Sequence, residues 1–472
     1  MSQSVTVIGA GIAGLSCAFD LARAGLQVHA LDSRSTAGGV MGTMRTEGFQ
    51  FETGPNSIPG NAEWFRSLCS DVGIDDNLTN SRPAARTRFL FADGRLQALP
   101  MGPGQLLRSS LLSWRAKLRL VTESMRTWQP RPGDDDPDFE SFLTERFGRE
   151  IARTLGGSFV RGIYASEIEQ LGTASAFPRL WAMVREHGGI LRGMKSKRRA
   201  RRAAGDRTPS NGQDLLSLSD GLGRLPEALA DFLGDRLRLG VSATSIEPHG
   251  QTWRVKLNDG TALTTDQVVL ATPAHPTERL LATAGASDEA LSGLTAVGHA
   301  SVCVAHLGFE RDFLPDGFGF LVPPDAAGSS PGAGRGRVPS ALGVLFVSKM
   351  FAGRAPQGAG AISAIYRSDQ VQGKEDREIV DLACEDLRMA LPQESFDRPV
   401  TDLVQRWPDA IPRYGPGHAA RMEALLEHTA VHHPGLHLVG NFTGGVSIDD
   451  RIRCGRECAQ RLALDLPREG AA

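Results

Sequence analysis

Apolar positions in this chain fall into two regimes that alternate along its length. Short, nearly continuous hydrophobic runs recur at residues 5–8, 27–31, 267–271 and 435–440. Such runs fit strands of a parallel sheet buried on both faces. Between the first two runs, residues 15–24 show helical spacing and stop at Gly25. Residues 62–72 (Trp64, Phe65, Leu68) predict a helix before Gly73, and residues 446–464 a closing helix. Elsewhere the pattern is that of antiparallel pairing. Residues 86–91 predict a strand turning at Asp93-Gly94, residues 237–247 one strand, and Asn258-Asp259-Gly260 a hairpin turn. Strands at 302–307 and 342–346 flank a Gly/Pro-rich loop at 323–339 and predict a second, mixed sheet covering a ligand.

The two ends and a middle piece carry the parallel-strand pattern, so the expected organisation is discontinuous. Residues 1–80, 213–275 and 428–465 form a nucleotide domain; 81–100 and 276–427 form a substrate domain; 101–212 form a helical insert. In the insert, Leu106, Leu107, Leu111, Leu112, Trp114, Leu118, Leu120 and Trp128 interleave with Arg108, Arg115, Lys117, Arg119 and Arg126. One helix with an apolar face and a basic face fits either a membrane interface or an ordinary protein surface. A dense basic run from Arg192 leads into residues 205–212 and reads as solvated and mobile, near enough to meet anionic lipid. It lacks the interleaved aromatics that nucleic-acid binding would want.

Composition narrows the picture modestly. The 472 residues allow about three domains, and 22% charged with 41% hydrophobic residues is the balance of a globular protein. A net charge of −2 implies no global pull towards nucleic acid. The six cysteines are scattered without a CxxC, which fits reduced thiols in a cytoplasmic compartment and no metal site. A folded motif begins at once, so no cleavable signal segment is expected, and no apolar run is long enough to span a membrane.

That first motif carries the chemistry. The strand at 5–8 runs into Gly9-Ala10-Gly11-Ile12-Ala13-Gly14, then a helix, then a second strand ending in Asp32. Gly9 suits a tight turn, Gly11 a close approach to a pyrophosphate, and Gly14 close helix–strand packing. Asp32 stands where a carboxylate accepts from ribose hydroxyls. The expectation is an α/β chain with a Rossmann-like dinucleotide domain. Gly38-Gly39-Val40, Thr43, Gly48-Phe49, Glu52 and Gly54-Pro55-Asn56-Ser57 follow, resembling the second nucleotide-contacting segment of FAD-dependent amine-oxidase-like proteins. FAD is therefore the expected cofactor. No GxSxG, HExxH or Cys/His pair supplies a separate catalytic apparatus. His418 reads as a structural loop histidine, and His432-His433 as a surface turn. With the hard chemistry in the cofactor, the protein must hold a C–H bond about 3–3.5 Å from the acceptor in a closed apolar cavity. Arg88 suits the rim of such a cavity, or equally a solvated strand edge.

Five segments together resemble the oxygen-dependent protoporphyrinogen oxidases of haem biosynthesis: VIGAGIAGLSCAFDLARAG, GGVMGT…GFQFETGPNS, RFLF…GRLQALP, RGIYASEIEQLG…AFPRLW, and RWPDAIPRYGPGH with LHLVGNFTGGVSIDDRI. The resemblance implies FAD-dependent oxidation of protoporphyrinogen IX to protoporphyrin IX, with dioxygen reduced to hydrogen peroxide. It favours a membrane-associating insert on the cytoplasmic face, and names ferrochelatase and a second copy of the chain as candidate partners. By position, Arg88 would hold a substrate propionate, Phe89 and Ser166 would stand at the substrate, and Leu321 and Phe351 would sandwich the macrocycle. FAD would contact Gly9, Ala10, Gly11, Ile12, Ala13, Gly14, Asp32, Ser33, Val40, Gly54, Pro55, Asn56, Ser57, Ala243, Trp407, Val446, Ser447 and Ile448. Against the family's pattern, Ser166 replaces a glycine and threatens to crowd the macrocycle. Thr443, Asp449 and Arg451 also depart from it, the last two placing charge near the flavin. The alternatives are coproporphyrinogen III oxidation, an amine-oxidase or phytoene-desaturase-like activity, or a non-catalytic porphyrin or lipid carrier on the same fold.

Overall fold

The computed structural model describes residues 3–100, 103–123, 125, 135–203, 214–324 and 337–464. Its first layer is a five-stranded parallel sheet in the order Leu237–Leu239, Gln27–Asp32, Ser4–Ile8, Gln267–Leu270, Leu436–Leu438. The chain crosses over through the helix Ile12–Arg23 and returns from distant segments to both sides of the first strand. Helices Ile12–Arg23 and Ile448–Leu464 pack side by side on one face, so close that a Cβ on Gly455 would lie 2.2 Å from the Ala13 carbonyl oxygen. The result is the expected α/β architecture with a Rossmann-like sheet.

The second layer is a seven-stranded mixed sheet: Thr401–Arg413, Gly298–Phe309, Gly360–Arg367, Gly343–Leu345, Gly319–Leu321, Phe89–Ala92, Arg95–Ala98. Its outer face (Phe91, Phe320, Val344, Ala364, Tyr366) is closed by the helix Asp376–Ala390. The last hairpin turns at Asp93-Gly94, both with positive φ, the geometry that matches the twist of paired strands.

Several sequence expectations need correcting. Residues 237–247 are two strands: Gly240 (φ 72) breaks the run, so Leu237–Leu239 joins the parallel sheet while Ala243–His249 opens a separate antiparallel one. The amphipathic stretch beginning at Leu106 is two helices, Pro103–Arg108 and Trp114–Glu123, because Ser113 caps the second through the Ala116 amide. Arg126 and Trp128 lie outside the described residues, as do residues 205–212 and most of the 323–339 loop. The basic run from Arg192 sits in the helix Ile190–Ala203, whose first amides are held by the buried Glu123 carboxylate, itself paired with Arg146 at 2.5 Å. Arg88 precedes its strand rather than lying in it. His433 is buried beside Trp253, 6.4 Å between ring centroids, and is no surface turn.

One buried ion pair joins the layers. Glu52, at the end of the strand Phe49–Glu52, meets Arg354 at 2.8 Å, and both are almost wholly enclosed. Glu52 also accepts from Thr43 Oγ1 and the Leu222 amide, while Arg354 donates to Ser217 Oγ and the Leu218 carbonyl. Three distant segments therefore share one network. Removing one partner strands the other charge, so Arg354→Ala is expected to lower stability by about 3–5 kcal/mol in chemical denaturation. A loss under 1 kcal/mol would show that the network does not couple the layers.

Candidate active site

The glycines after the first strand divide their labour. Gly9 has φ +107, and a side chain there would press on the Ala271 carbonyl at 2.7 Å; a Cβ on Gly14 would lie 1.9 Å from the Gly9 oxygen. The fold needs both. Gly11 is different, because nothing lies within 4 Å of where its Cβ would be. Its bare backbone faces open space at the start of Ile12–Arg23, a helix with no side-chain cap and no acid in its first turn. Those uncapped amides, at Ile12, Ala13 and Gly14, have the geometry and dipole that suit a phosphate group.

Asp32 organises the next part. Its Oδ2 accepts from the Ala10 amide at 2.7 Å and its Oδ1 from the Arg34 amide at 2.9 Å, which fixes the glycine turn against the following loop. Each oxygen keeps a lone pair for a ribose hydroxyl. Ser33 is exposed beside it, and the Val241 amide bonds the Asp32 carbonyl, bringing Ala243 to the same end of the sheet. Arg34 donates to the Gly39 carbonyl at 2.8 Å, and the Gly38 amide to Ala10 O, so the Gly38–Gly39 loop lies against Gly11. Val40 stays 40% exposed, and Gly54 crosses so near the Val40 carbonyl that a Cβ there would sit at 2.2 Å. Asn56 donates to the Gly54 carbonyl, but its buried Oδ1 has no partner; Pro55 and Ser57 flank it, half-buried.

The other side is the loop before the closing helix, and it is held by its carbonyls. Arg451 donates to Gly440 O and Thr443 O, Tyr414 Oη to Asn441 O at 2.5 Å, and His418 Nε2 to Phe442 O at 2.8 Å. Four consecutive carbonyls are thus taken from beneath by buried side chains. Ser447 caps the closing helix through the Asp450 amide and donates to Asp450 Oδ2, with Val446 and Ile448 on either side. Asp449 accepts from the Phe65 amide at 2.8 Å, serving the start of the helix Glu63–Asp71. Both charged departures have structural work: Arg451 grips the loop and Asp449 caps a neighbouring helix.

Over this cradle stands the inner face of the seven-stranded sheet. Leu321, Leu345 and Ile365 share that face by register and Trp407 continues it; all four are only half-buried, while Phe320, Val344 and Ala364 behind them are fully enclosed. Trp407 Nε1 donates to the Thr53 carbonyl at 2.6 Å, tying the sheet to the 53–57 loop. Arg88 lies near one edge, its guanidinium 5.3 Å from the Phe318 ring centre and without an acid partner among the described residues. Burial pulls its pKa below the usual arginine value. The remaining wall is the helix Ser158–Tyr164, whose Gly162 lies under Leu321.

A family model described as flavin containing amine oxidoreductase matches residues 12–463. The chain belongs to that family. It is 31% identical to human protoporphyrinogen oxidase over 97% of this chain and 98% of that protein, which bears out the resemblance seen in its motifs. It is 25% identical to the coproporphyrinogen III oxidase of Bacillus subtilis over 96% of each chain. A crystal structure from Exiguobacterium sp., provisionally named protoporphyrinogen oxidase, superposes with a TM-score of 0.82 at 22% identity, covering 99% of this chain and 100% of that one, and shares the fold.

FAD is the cofactor of this flavin oxidoreductase, and the cradle fits it: open space at Gly11, uncapped helix amides, free lone pairs on Asp32 and an unpartnered Asn56 Oδ1. The predicted substrate residues are spread more widely. Leu321 is on the open face, whereas Phe351 is buried with Phe49, Phe51 and Met350 in a cluster against which Leu345 packs, the Arg354 guanidinium 5.6 Å from its ring centre. Phe89 packs into the outer core beside Phe320. Ser166 is buried, and its Oγ donates to the Tyr164 carbonyl at 2.8 Å. Sequence reasoning missed Leu345, Ile365 and Thr53, and did not see that Tyr414, His418 and Arg451 act on one loop. The Arg-Tyr-…-His spacing near residue 414 was the available signal.

The loop anchor carries a pH dependence. Burial pushes His418 down to about 4 from an ordinary 6.5, and His306, enclosed beside Ser363 and Phe51, equally to about 4. Both are neutral when folded and take a proton only on unfolding between those values. The unfolded chain then binds more protons, so stability is full above pH 6.5 and falls towards pH 4, by up to about 1.4 kcal/mol per pH unit per histidine. His418→Gln keeps an N–H donor without the titration, and its melting temperature should fall less steeply across that window. An unchanged slope would remove His418 as a source.

Proposed function

We infer that the chain oxidises protoporphyrinogen IX to protoporphyrin IX with dioxygen as the final acceptor. The observation that carries this is the half-buried apolar sheet face over the FAD cradle, with the unpaired Arg88 at its margin. A flat tetrapyrrole with carboxylate arms matches that combination of apolar wall and cation. Bound FAD supplies the two-electron acceptor and, once reduced, a route to hydrogen peroxide. The chain's own contribution is placement: Leu321, Leu345, Ile365 and Trp407 exclude water from the ring, and Arg88 fixes its rotation by holding a propionate. The motif glycines, Asp32 and the 440–443 loop hold the cofactor opposite. Human protoporphyrinogen oxidase supports the substrate, and the Bacillus subtilis relative supports coproporphyrinogen III as the second reading.

The test begins with the visible spectrum of purified protein, then porphyrin fluorescence after adding protoporphyrinogen IX in air. Yellow protein with fluorescence growth well above the enzyme-free rate is expected; yellow protein without it would overturn the substrate. Arg88→Ala should raise KM about tenfold or more, the worth of one charged hydrogen bond, with the flavin spectrum intact. Unchanged kinetics would take Arg88 out of the site.

We also infer that residues 101–212 rest on an anionic lipid surface, on the cytoplasmic face. No helix among the described residues is long and apolar enough to cross a membrane. Trp114, Leu118, Val121 and Met125, spaced four, three and four apart, are each more than half exposed, with Arg115 and Arg119 beside them. Such a stripe supports interfacial seating. The protein should co-sediment with anionic vesicles, and Leu118→Glu should weaken this severalfold while neutral vesicles bind little. Equal partition of both proteins would discard the idea.

A further inference from the structure

We propose that Arg413 is a second carboxylate-binding residue of the substrate cavity, aimed by Ser166, and that through it the chain also accommodates a tetrapyrrole with acid arms on two sides, such as coproporphyrinogen III. The proposal rests on the porphyrinogen reading above and adds to it a residue and a second substrate.

Arg413 ends the strand Thr401–Arg413 at one edge of the sheet, whereas Arg88 enters near the other. Its Nε donates to Ser166 Oγ at 3.2 Å, and that hydroxyl is turned by its own donation to the Tyr164 carbonyl. Ser166 is 1% exposed, so this contact is enclosed and directional. The two terminal nitrogens of Arg413 have no partner among the described residues, although the side chain is half-buried. A guanidinium is always charged, and the terminal donors of Arg413, open to solvent and without a protein partner, are free to take a carboxylate in a bidentate fork. Asp136 is spent on the Ala174 and Gly417 amides and Glu167 on Arg161 and Arg367, while Asp409, four residues earlier on the same strand, makes no ion pair with Arg413 among the described residues. His299, paired with Pro412 on the adjoining strand, is held below its usual pKa chiefly by burial and supplies no negative charge.

The position is that of the cavity wall. Ala165 packs with Val302, Leu342, Ile365 and Trp407, and Ile411, two residues before Arg413 on the same face of its strand, joins that cluster. Along the adjoining helix, Gly162 lies under Leu321 and Ser166 follows four residues later. The hydroxymethyl group expected to crowd the macrocycle is instead folded away from it, into the hydrogen bond that points the guanidinium. A substrate with propionates on one side only would engage Arg88 and leave Arg413 to water. One with arms on both sides engages both.

The test compares coproporphyrin III with its tetramethyl ester, by titrating the holoenzyme and following porphyrin absorbance, and measures KM for coproporphyrinogen III alongside. Wild-type protein should bind the acid at least tenfold more tightly than the ester. Arg413→Gln should shrink that ratio severalfold with the flavin spectrum unchanged, and Arg413→Lys should restore part of it. Ser166→Ala, a positioning change, should raise KM more than it lowers kcat. An acid-to-ester ratio identical in wild type and Arg413→Gln would overturn the proposal while leaving porphyrinogen oxidation standing. Failure of the wild-type protein to bind any porphyrin or oxidise any porphyrinogen would overturn both.

Discussion

Three stretches of chain between the two large sheets are tied together by the buried Glu52–Arg354 pair. It sits where the 43–52 hairpin, the 214–223 return and the 347–361 segment converge, and its donors and acceptors come from the first two of these. A pair so enclosed gives little net stability compared with apolar packing, because desolvation offsets much of the Coulomb gain. Its value lies in direction. An apolar contact tolerates sliding; a directional hydrogen-bonded network does not. The Trp407–Thr53 hydrogen bond then sets the tilt of the substrate face over the cradle that the ion pair has located.

Within that frame, polar groups near the flavin are mostly committed to the protein itself. Tyr414, His418 and Arg451 are turned to a loop, Asp449 to a helix end, and Asp32 to two amides. Among the described residues, the groups left free include the backbone at Gly11, lone pairs on Asp32, Asn56 Oδ1, Asn441 Oδ1, Arg88 and the outer nitrogens of Arg413. An oxidoreductase whose cofactor carries the chemistry needs this economy, since stray acids and bases would titrate beside the reacting ring. Positioning through a few unpaired groups and a wide apolar wall is sufficient.

Local signals in the sequence were read well where local physics decides the outcome. The glycine turn, the parallel strands and the Asp93-Gly94 hairpin each follow from backbone sterics and buried periodicity, and each is present. Errors arose where one residue outvoted a pattern. Gly240 split a hydrophobic run into strands of two different sheets, and Ser113 divided an amphipathic stretch by capping. Side-chain placement was harder, because the face of Phe89 depends on register with Phe320 and the burial of Phe351 on packing against Phe49 and Phe51, all far away in sequence. The contribution of Arg451 was hidden for a related reason: nothing near it in sequence announces which distant carbonyls it will meet.

The grip on residues 440–443 has a consequence for how this region can vary among homologous chains. Because the loop is held by main-chain oxygens, which every residue type carries, its path is indifferent to the side chain of Asn441, whereas Thr443 Oγ1 closes the loop onto the Gly440 carbonyl. Position 441 can drift, and with it the surface of the loop, while the anchoring Arg451, Tyr414 and His418 stay where they are. Such a loop separates inheritance of shape from inheritance of chemistry.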